Sequence, residues 1–183
     1  RVRRDKRRRC RSTHGHNQMA ESSGMSIGRT STGYLIRVDG RGTAQQSPAF
    51  QRVIDDIMQA GDSSVAVDLT TCTYLDSTFL GCLVRLQRHS GDARSDPLVI
   101  VAPPETRSRL FQTKQIEKVL HFVDSGAEPV GETVDVPMQV TAPQDFGRHV
   151  AEAHRALAGL GGSEAKAFER VAQQIEKELE SPS

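Results

Sequence analysis

Residues 67–81, VDLTTCTYLDSTFLG, decide the fold, because two different periodicities meet inside them. Residues 65–69 are apolar except for Asp68 and rich in valine, which is typical of a buried strand. From Ser77 onward the apolar residues recur at helical spacing, at positions 79, 80, 83, 84 and 86. The polar residues 70–76 lie between these two patterns. The stretch therefore predicts a strand, a polar turn and a helix that begins at Ser77.

Predicted strands and helices also alternate before and after this stretch. Strand-like segments occupy residues 34–38, 97–102 and 121–124. A long helical pattern follows Ser47, the expected N-cap, and ends at Gly61. Two short helical patterns follow the third strand, one with Leu110 and Phe111 and one over residues 116–120. Strand and helix in alternation build a largely parallel sheet covered by helices. We therefore predict an α/β domain over residues 31–125, with a small mixed or mostly parallel sheet.

The two ends differ from this domain. Residues 1–30 begin with eight basic side chains in the first 11 positions and continue with polar, glycine-rich sequence, which predicts a disordered basic arm. Met19 offers an alternative start, in which case residues 1–18 are not native sequence. Residues 126–141 resemble a connector.

Residues 142–181 predict a helical hairpin. Its second helix follows Ser163, the expected N-cap, and has an apolar stripe that comprises Phe168, Val171, Ala172, Ile175 and Leu179. Such a stripe must be buried. The hairpin therefore packs either on its own domain, which we expect, or on a partner.

Composition narrows the class of protein. No apolar run approaches the roughly 20 residues that span a bilayer, and no apolar segment of a secretory signal follows the basic start. The three cysteines have no CxxC spacing, which favours a reducing cytoplasm over a disulfide framework. Acidic residues outnumber basic ones outside the arm, so binding to nucleic acid would have to come from the arm alone.

Ser77 is the residue with the most chemical interest. The start of a helix offers free backbone N–H groups and the positive end of the helix dipole, both of which favour a phosphate. Asp76 supplies a neighbouring carboxylate. The same Asp-Ser-Thr string is also common in ordinary helix caps, so the residues alone leave both interpretations open.

Between residue 34 and about residue 124 the chain resembles a STAS domain, the fold shared by sulphate-transporter tails and anti-sigma factor antagonists. The hallmark of that family is a strand, then an aspartate-serine pair, then Ser or Thr, Gly, Leu and Gly opening a helix. Here residues 76–81 read DSTFLG. The approach, residues 67–69 with 74–75, and the later PLVIVAPP over residues 97–104 also match.

The resemblance implies a partner switch without an enzymatic activity, a cofactor or a metal. The partner would be a protein that is both an anti-sigma factor and a serine kinase, and Ser77 would be its phosphoacceptor, ahead of Thr78. Unphosphorylated protein would bind this partner and phosphorylated protein would not. The implied contact residues are Asp76, Ser77, Thr78, Phe79, Leu80 and Thr43.

Two departures from the family pattern favour a second function. Phe79 stands where glycine is usual, which would alter the partner surface or hinder a kinase. Thr43 takes the place of an aspartate in the loop after the first strand. The alternative is a STAS accessory or scaffold subunit of a transporter or signalling complex that does not cycle through phosphoserine.

Other candidate sites are weaker. His14 and His16 near Cys10 could hold zinc, but they lie in the basic arm. His149 and His154 are five residues apart and therefore on different helix faces, which is poor metal geometry. Cys82 fits a small core residue and Cys72 an exposed thiol. With no base in view for Cys72 or Ser77, an enzyme is not predicted.

Overall fold

The computed structural model describes residues 23–61, 64–93, 98–112 and 114–181. Seven strands form the sheet: β1 (Gly24–Arg29), β2 (Gly33–Gly42), β3 (Ser64–Asp68), β4 (Cys72–Leu75), β5 (Val99–Val101), β6 (Phe122–Val123) and β7 (Val134–Asp135). Six helices accompany them: α1 (Ser47–Ala60), α2 (Ser77–Ala93), α3 (Pro104–Leu110), α4 (Lys114–Glu117), α5 (Pro143–Ala158) and α6 (Ala165–Glu180).

The strand order is β6-β5-β3-β2-β1-β7, and β4 pairs with the end of β2. All pairs on the β6 side of β2, and the β2–β4 pair, are parallel, whereas β1 is antiparallel to both β2 and β7. Parallel pairs need crossover connections, and here α1 and α2 provide two of them. The predicted α/β class with a mixed, mostly parallel sheet is confirmed.

One hydrophobic core joins the sheet to the helices. From the strands it receives, among others, Ile36, Val38, Val67 and Ile100, all fully buried. Phe50 and Ile54 of α1 and Phe79 and Leu83 of α2 meet them. The rings of Phe50 and Phe79 lie 4.7 Å apart between centroids, so these two residues join α1 to α2.

Three local predictions are wrong. Residues 24–29 were assigned to the disordered arm but form β1, because their backbone pairs with β2 and Met25 is buried beneath it. Residues 72–75, interpreted as part of a polar turn, form β4, so the side chain of Cys72 is buried rather than exposed. The predicted N-caps Ser47 and Ser163 do not cap: α1 begins at Ser47 itself, and α6 begins after Glu164. The basic arm at residues 1–22 lies outside the described residues.

The C-terminal helices form a hairpin, and α5 packs against α2 of its own domain. The approach is closest at Gly81, where a β-carbon would lie 2.1 Å from the carbonyl oxygen of Ala153. Because no side chain could fit in that space, only glycine allows the two helix backbones to come so near. An ion pair between Arg85 and Glu152 crosses the same contact.

Replacing Phe79 by alanine should lower the free energy of unfolding by about 3–5 kcal/mol, because the change leaves a cavity beside Phe50. Chemical denaturation of the two proteins measures the difference. The matched control is Tyr74→Ala, since the Tyr74 side chain is 42% exposed. Equal effects of the two substitutions would contradict the placement of Phe79 in the core.

Candidate functional site

The carboxylate of Asp76 positions the start of α2. Its Oδ1 atom accepts a hydrogen bond from the N–H of Phe79 at 2.8 Å, which is the geometry of an N-cap. Its Oδ2 atom accepts a second hydrogen bond, at 2.6 Å, from the N–H of Ala44 in the loop between β2 and α1. Asp76 therefore holds that loop beside the first turn of α2, and both of its oxygens have backbone donors.

Ser77 and Thr78 differ in their access to solvent. Ser77, the first residue of α2, is half-buried, whereas Thr78 is only 4% exposed. Leu80 is half-buried and lines a cleft of about 620 Å³ that Phe168 of α6 also borders. Of the two hydroxyl groups in the string, that of Ser77 is thus the more accessible to a modifying protein.

The hydroxyl of Ser77 contacts α5. Its Oγ atom lies 3.1 Å from Nε2 of His154, whose Nδ1 lies 2.8 Å from the carbonyl oxygen of Val150. A carbonyl oxygen can only accept, so in the neutral imidazole Nδ1 carries the hydrogen and Nε2 accepts the hydrogen bond that Ser77 donates. His154 is buried, and its ring packs 6.0 Å from that of Phe168.

A second serine-histidine contact lies at the start of α1. Ser47 Oγ is 2.7 Å from Nε2 of His149 and donates its own hydrogen to the carbonyl oxygen of Ala44. Nε2 of His149 is therefore the donor in this contact. Burial, aided by the positive charge of Arg85, lowers the pKa of His149 to about 4. The imidazole is thus neutral at physiological pH.

These two histidines are the site residues that the sequence interpretation missed. Both had been weighed as metal ligands, and each instead contacts the first residue of a different helix. The contacts join residues 77 and 102 positions apart in the chain, so no local pattern could reveal them. The structure thereby brings α5 across the N-terminal ends of both α1 and α2.

The two residues that depart from the family pattern, Phe79 and Thr43, lie in different surroundings. Phe79 is completely buried, so its side chain lies in the core and not on a surface that a partner could touch. Thr43 is bonded locally: its N–H and its hydroxyl both donate to Oε1 of Gln46, at 3.1 and 3.2 Å. Neither residue makes a hydrogen bond to Ser77.

The described cysteines are poor nucleophiles. Burial raises the pKa of the Cys72 thiol, and it raises that of Cys82 to about 12. Both thiols are therefore protonated at neutral pH. In the described part of the chain, no group of three or more His, Cys, Asp and Glu side chains is arranged to hold a metal ion.

Comparison with known families decides the classification. The family model described as "Mlab, STAS domain" matches residues 25–123, which is more than half of the chain. The chain belongs to the STAS domain family. The match begins inside β1 and ends with β6, so the STAS domain includes the strand that the sequence interpretation had left in the arm. The α5–α6 hairpin lies beyond the matched residues.

Solved structures that are similar to this chain include the crystal structure of an anti-sigma factor antagonist from Mycobacterium paratuberculosis. Its TM-score is 0.47, with 15% sequence identity over 58% of this chain and 89% of that chain. At this identity a shared function does not follow from the likeness. No curated protein matches the sequence significantly. Among the described helices, none has the length and apolar character needed to cross a bilayer.

Asp76→Ala should lower the free energy of unfolding by about 1–2 kcal/mol, because two backbone donors lose their acceptor. Hydrogen exchange at the amides of Ala44 and Phe79 should accelerate at the same time. Asp56→Ala, at an exposed position of α1, is the control and should have little effect. Unchanged exchange at Ala44 would contradict the bridging role of Asp76.

The burial of His149 makes stability depend on pH. Its pKa falls from 6.5 in the unfolded chain to about 4 in the folded one, so between these values the unfolded chain binds a proton that the folded chain excludes. Stability should therefore decrease as the pH falls from about 6.5 towards 4. Melting temperatures across this range measure it. His149→Asn should flatten the dependence, whereas His89→Asn, at an exposed position, should keep the original slope.

Proposed function

We propose that this STAS domain chain is a non-enzymatic protein-interaction module, an anti-sigma factor antagonist in a partner switch controlled by phosphorylation of Ser77. The partner is an anti-sigma factor that also acts as a serine kinase. The observation that carries the proposal is the place of Ser77: a half-buried hydroxyl at the first residue of α2, next to the capping carboxylate of Asp76. This is the residue to which the family resemblance assigns the phosphate.

The phosphorylation step needs only the hydroxyl and a kinase. Ser77 Oγ forms a bond to the terminal phosphorus of a nucleoside triphosphate, and the bond from that phosphorus to the leaving oxygen breaks. The products are phosphoserine, a nucleoside diphosphate and the hydroxyl proton. The dipole of α2 favours the product, because the start of a helix attracts an anion.

Loss of partner binding then follows from charge and desolvation. A phosphoryl group adds roughly two negative charges and three strong acceptor oxygens. In the middle of a protein-protein contact the phosphate oxygens lose their water without gaining hydrogen-bond donors in its place. A partner whose surface fits the free hydroxyl of Ser77 therefore no longer binds. The Asp76 carboxylate adds repulsion at the same place. The contact residues proposed here are Asp76, Ser77, Leu80 and Thr43 at the surface, with Thr78 and Phe79 supporting them from below.

We place this activity in the cytoplasm. Cys72 and Cys82 are free thiols, and the reducing cytoplasm keeps thiols in that state.

One observation favours a second function. The Ser77 hydroxyl already has a partner within the chain, His154, and α5 lies against α2. A STAS domain whose serine is permanently bonded in this way would serve as an accessory or scaffold subunit of a transporter or signalling complex, without phosphoserine cycling.

Substitutions at Ser77 separate the two functions. In the partner switch, Ser77→Ala keeps the protein partner, whereas Ser77→Asp lowers its recovery about tenfold or more, a change of ~1.4 kcal/mol or more in binding. Tagged variants are used to capture partners from the native cell lysate, and mass spectrometry then identifies them and locates phosphate. Ser163→Asp places the same charge at an exposed site and is the control. Equal recovery with Ser77→Ala and Ser77→Asp would support the accessory function instead.

A further inference from the structure

Two polar contacts of α5 lie at the proposed switch. Although it lies outside the family-matched residues, its two histidines reach Ser47 and Ser77, the first residues of α1 and α2. Further along, Arg88 of α2 donates to the carbonyl oxygen of Gly159, at the end of α5. The helix therefore follows α2 from its first residue for about three turns.

The contact is of a kind that only a helix with small side chains can make. At Gly81 there is no room for a β-carbon, and the facing residue, Ala153, is itself small and 1% exposed. Ala151 is also buried in the same helix. Small residues on both sides let two helix backbones approach, so the surface of α2 at Gly81 is shaped to receive a helix.

Separating the hairpin leaves most of the core intact. Of the described hairpin, Leu157 belongs to the buried core cluster, and Ala156, Leu160 and Phe168 pack against that cluster while partly exposed. The polar contacts of α5 with the domain include the Ser77–His154 hydrogen bond to α2, the Ser47–His149 hydrogen bond to α1, and the ion pair of Arg85 with Glu152, whose carboxylate is half exposed. Exposed ion pairs contribute little to stability. Residues 136–142 join β7, the last strand of the sheet, to α5.

A phosphate on Ser77 is incompatible with the hydrogen bond between Ser77 and His154. Its Oγ is in hydrogen-bond contact with Nε2 of His154, and a phosphorus atom with three further oxygens does not fit within 3.1 Å. His154 has little freedom to move aside, because it is buried and its Nδ1 is bonded to its own helix. Access of a kinase to Ser77 requires that α5 move away.

We infer that α5 occupies, within the same chain, a helix-binding surface on α2 around Ser77 and Gly81, and that a partner must displace it. The partner presents an α-helix with a small residue opposite Gly81, as α5 presents Ala153. The inference rests on the proposed function, because it assigns the partner and the kinase to this surface. The chain then has a closed state, in which Ser77 is protected, and an open state that is competent to bind.

The test weakens the contact between α5 and α2 and reads the exposure of position 77 with a cysteine placed there. Ala153→Leu adds bulk where α5 meets Gly81, and Ala167→Leu makes the same change at an exposed position of α6 as the control. Both are built into full-length protein that carries Ser77→Cys. The rate at which iodoacetamide alkylates the cysteine at position 77 is read by peptide mass spectrometry, with buried Cys72 as an internal reference.

We expect alkylation at position 77 to be slow in the parent and the control and at least about tenfold faster with Ala153→Leu, while Cys72 stays protected. Gly81→Ala should have the same effect from the other side of the contact, and Gly24→Ala, where a β-carbon meets nothing, should not. Equal rates at position 77 in the parent and the variants would overturn the inference. Loss of protection at Cys72 together with position 77 would also overturn it, because the hairpin would then be an integral part of the core.

This assay contains no partner, kinase or nucleotide. Its failure would therefore leave the Ser77-dependent capture of a partner untouched. Conversely, if capture proves independent of the charge at Ser77, the proposed switch fails while the alkylation rates still report whether α5 covers α2.

Discussion

The arrangement of the candidate site depends on the two hydrogen bonds that the Asp76 carboxylate accepts. One comes from Phe79 in the first turn of α2, and the other from Ala44 in the loop that precedes α1, 32 positions before Asp76 in the chain. The backbone N–H of Asp76 adds a third link, since it donates to the carbonyl oxygen of Gly42 at 3.1 Å. These contacts bring the starts of α1 and α2 to the same edge of the sheet. Ser47 and Ser77 are therefore close enough for one helix, α5, to reach both.

Packing beneath the site explains how the domain accommodates phenylalanine where the family usually has glycine. A β-carbon at Gly42 would lie 2.6 Å from a methyl group of Leu75 and 3.2 Å from the ring of Phe79. The space that this glycine leaves open is therefore part of the pocket that holds the ring, and Phe50 closes the other side. Phe79 thus anchors α2 to the core from below. Its effect on a partner is indirect, through the position of Ser77 on the opposite side of the turn.

The sequence predicts the parts of this fold whose signal is local. The strands at residues 34–38 and 65–69 and the helices that begin near Ser47 and Ser77 have clear periodicity, and each is present. β1 was not predicted, because its apolar residues, Met25 and Ile27, lie among glycine and serine. The segment becomes a strand only by pairing with β2. β4 has four residues and pairs with the last residues of β2 alone, so neither its length nor its pattern separates it from a turn.

The residues of the candidate site likewise divide into those that the sequence predicts and those that it does not. Asp76 was recognisable as a cap and Ser77 as a helix start, because capping depends on residues three positions apart. The partners of the two serines were not recognisable, because His149 and His154 are brought to them by the fold of the whole chain. Likewise, the glycine of the family motif at position 81 signals a close approach without indicating what approaches. Only the structure shows that the occupant is α5.

The two sides of α2 differ in the kind of side chain that they present to their neighbours. Toward the sheet, α2 buries large apolar side chains such as Phe79 and Leu83, whose removal from the core costs several kcal/mol each. Toward α5 it presents a glycine, a serine and an arginine, and it receives alanine, histidine and glutamate. A hydrogen bond between uncharged groups contributes on the order of 1 kcal/mol net, since water replaces it when the contact opens. The second side thus has weaker individual contacts than the first, and the inferred exchange of one helix for another requires such a difference.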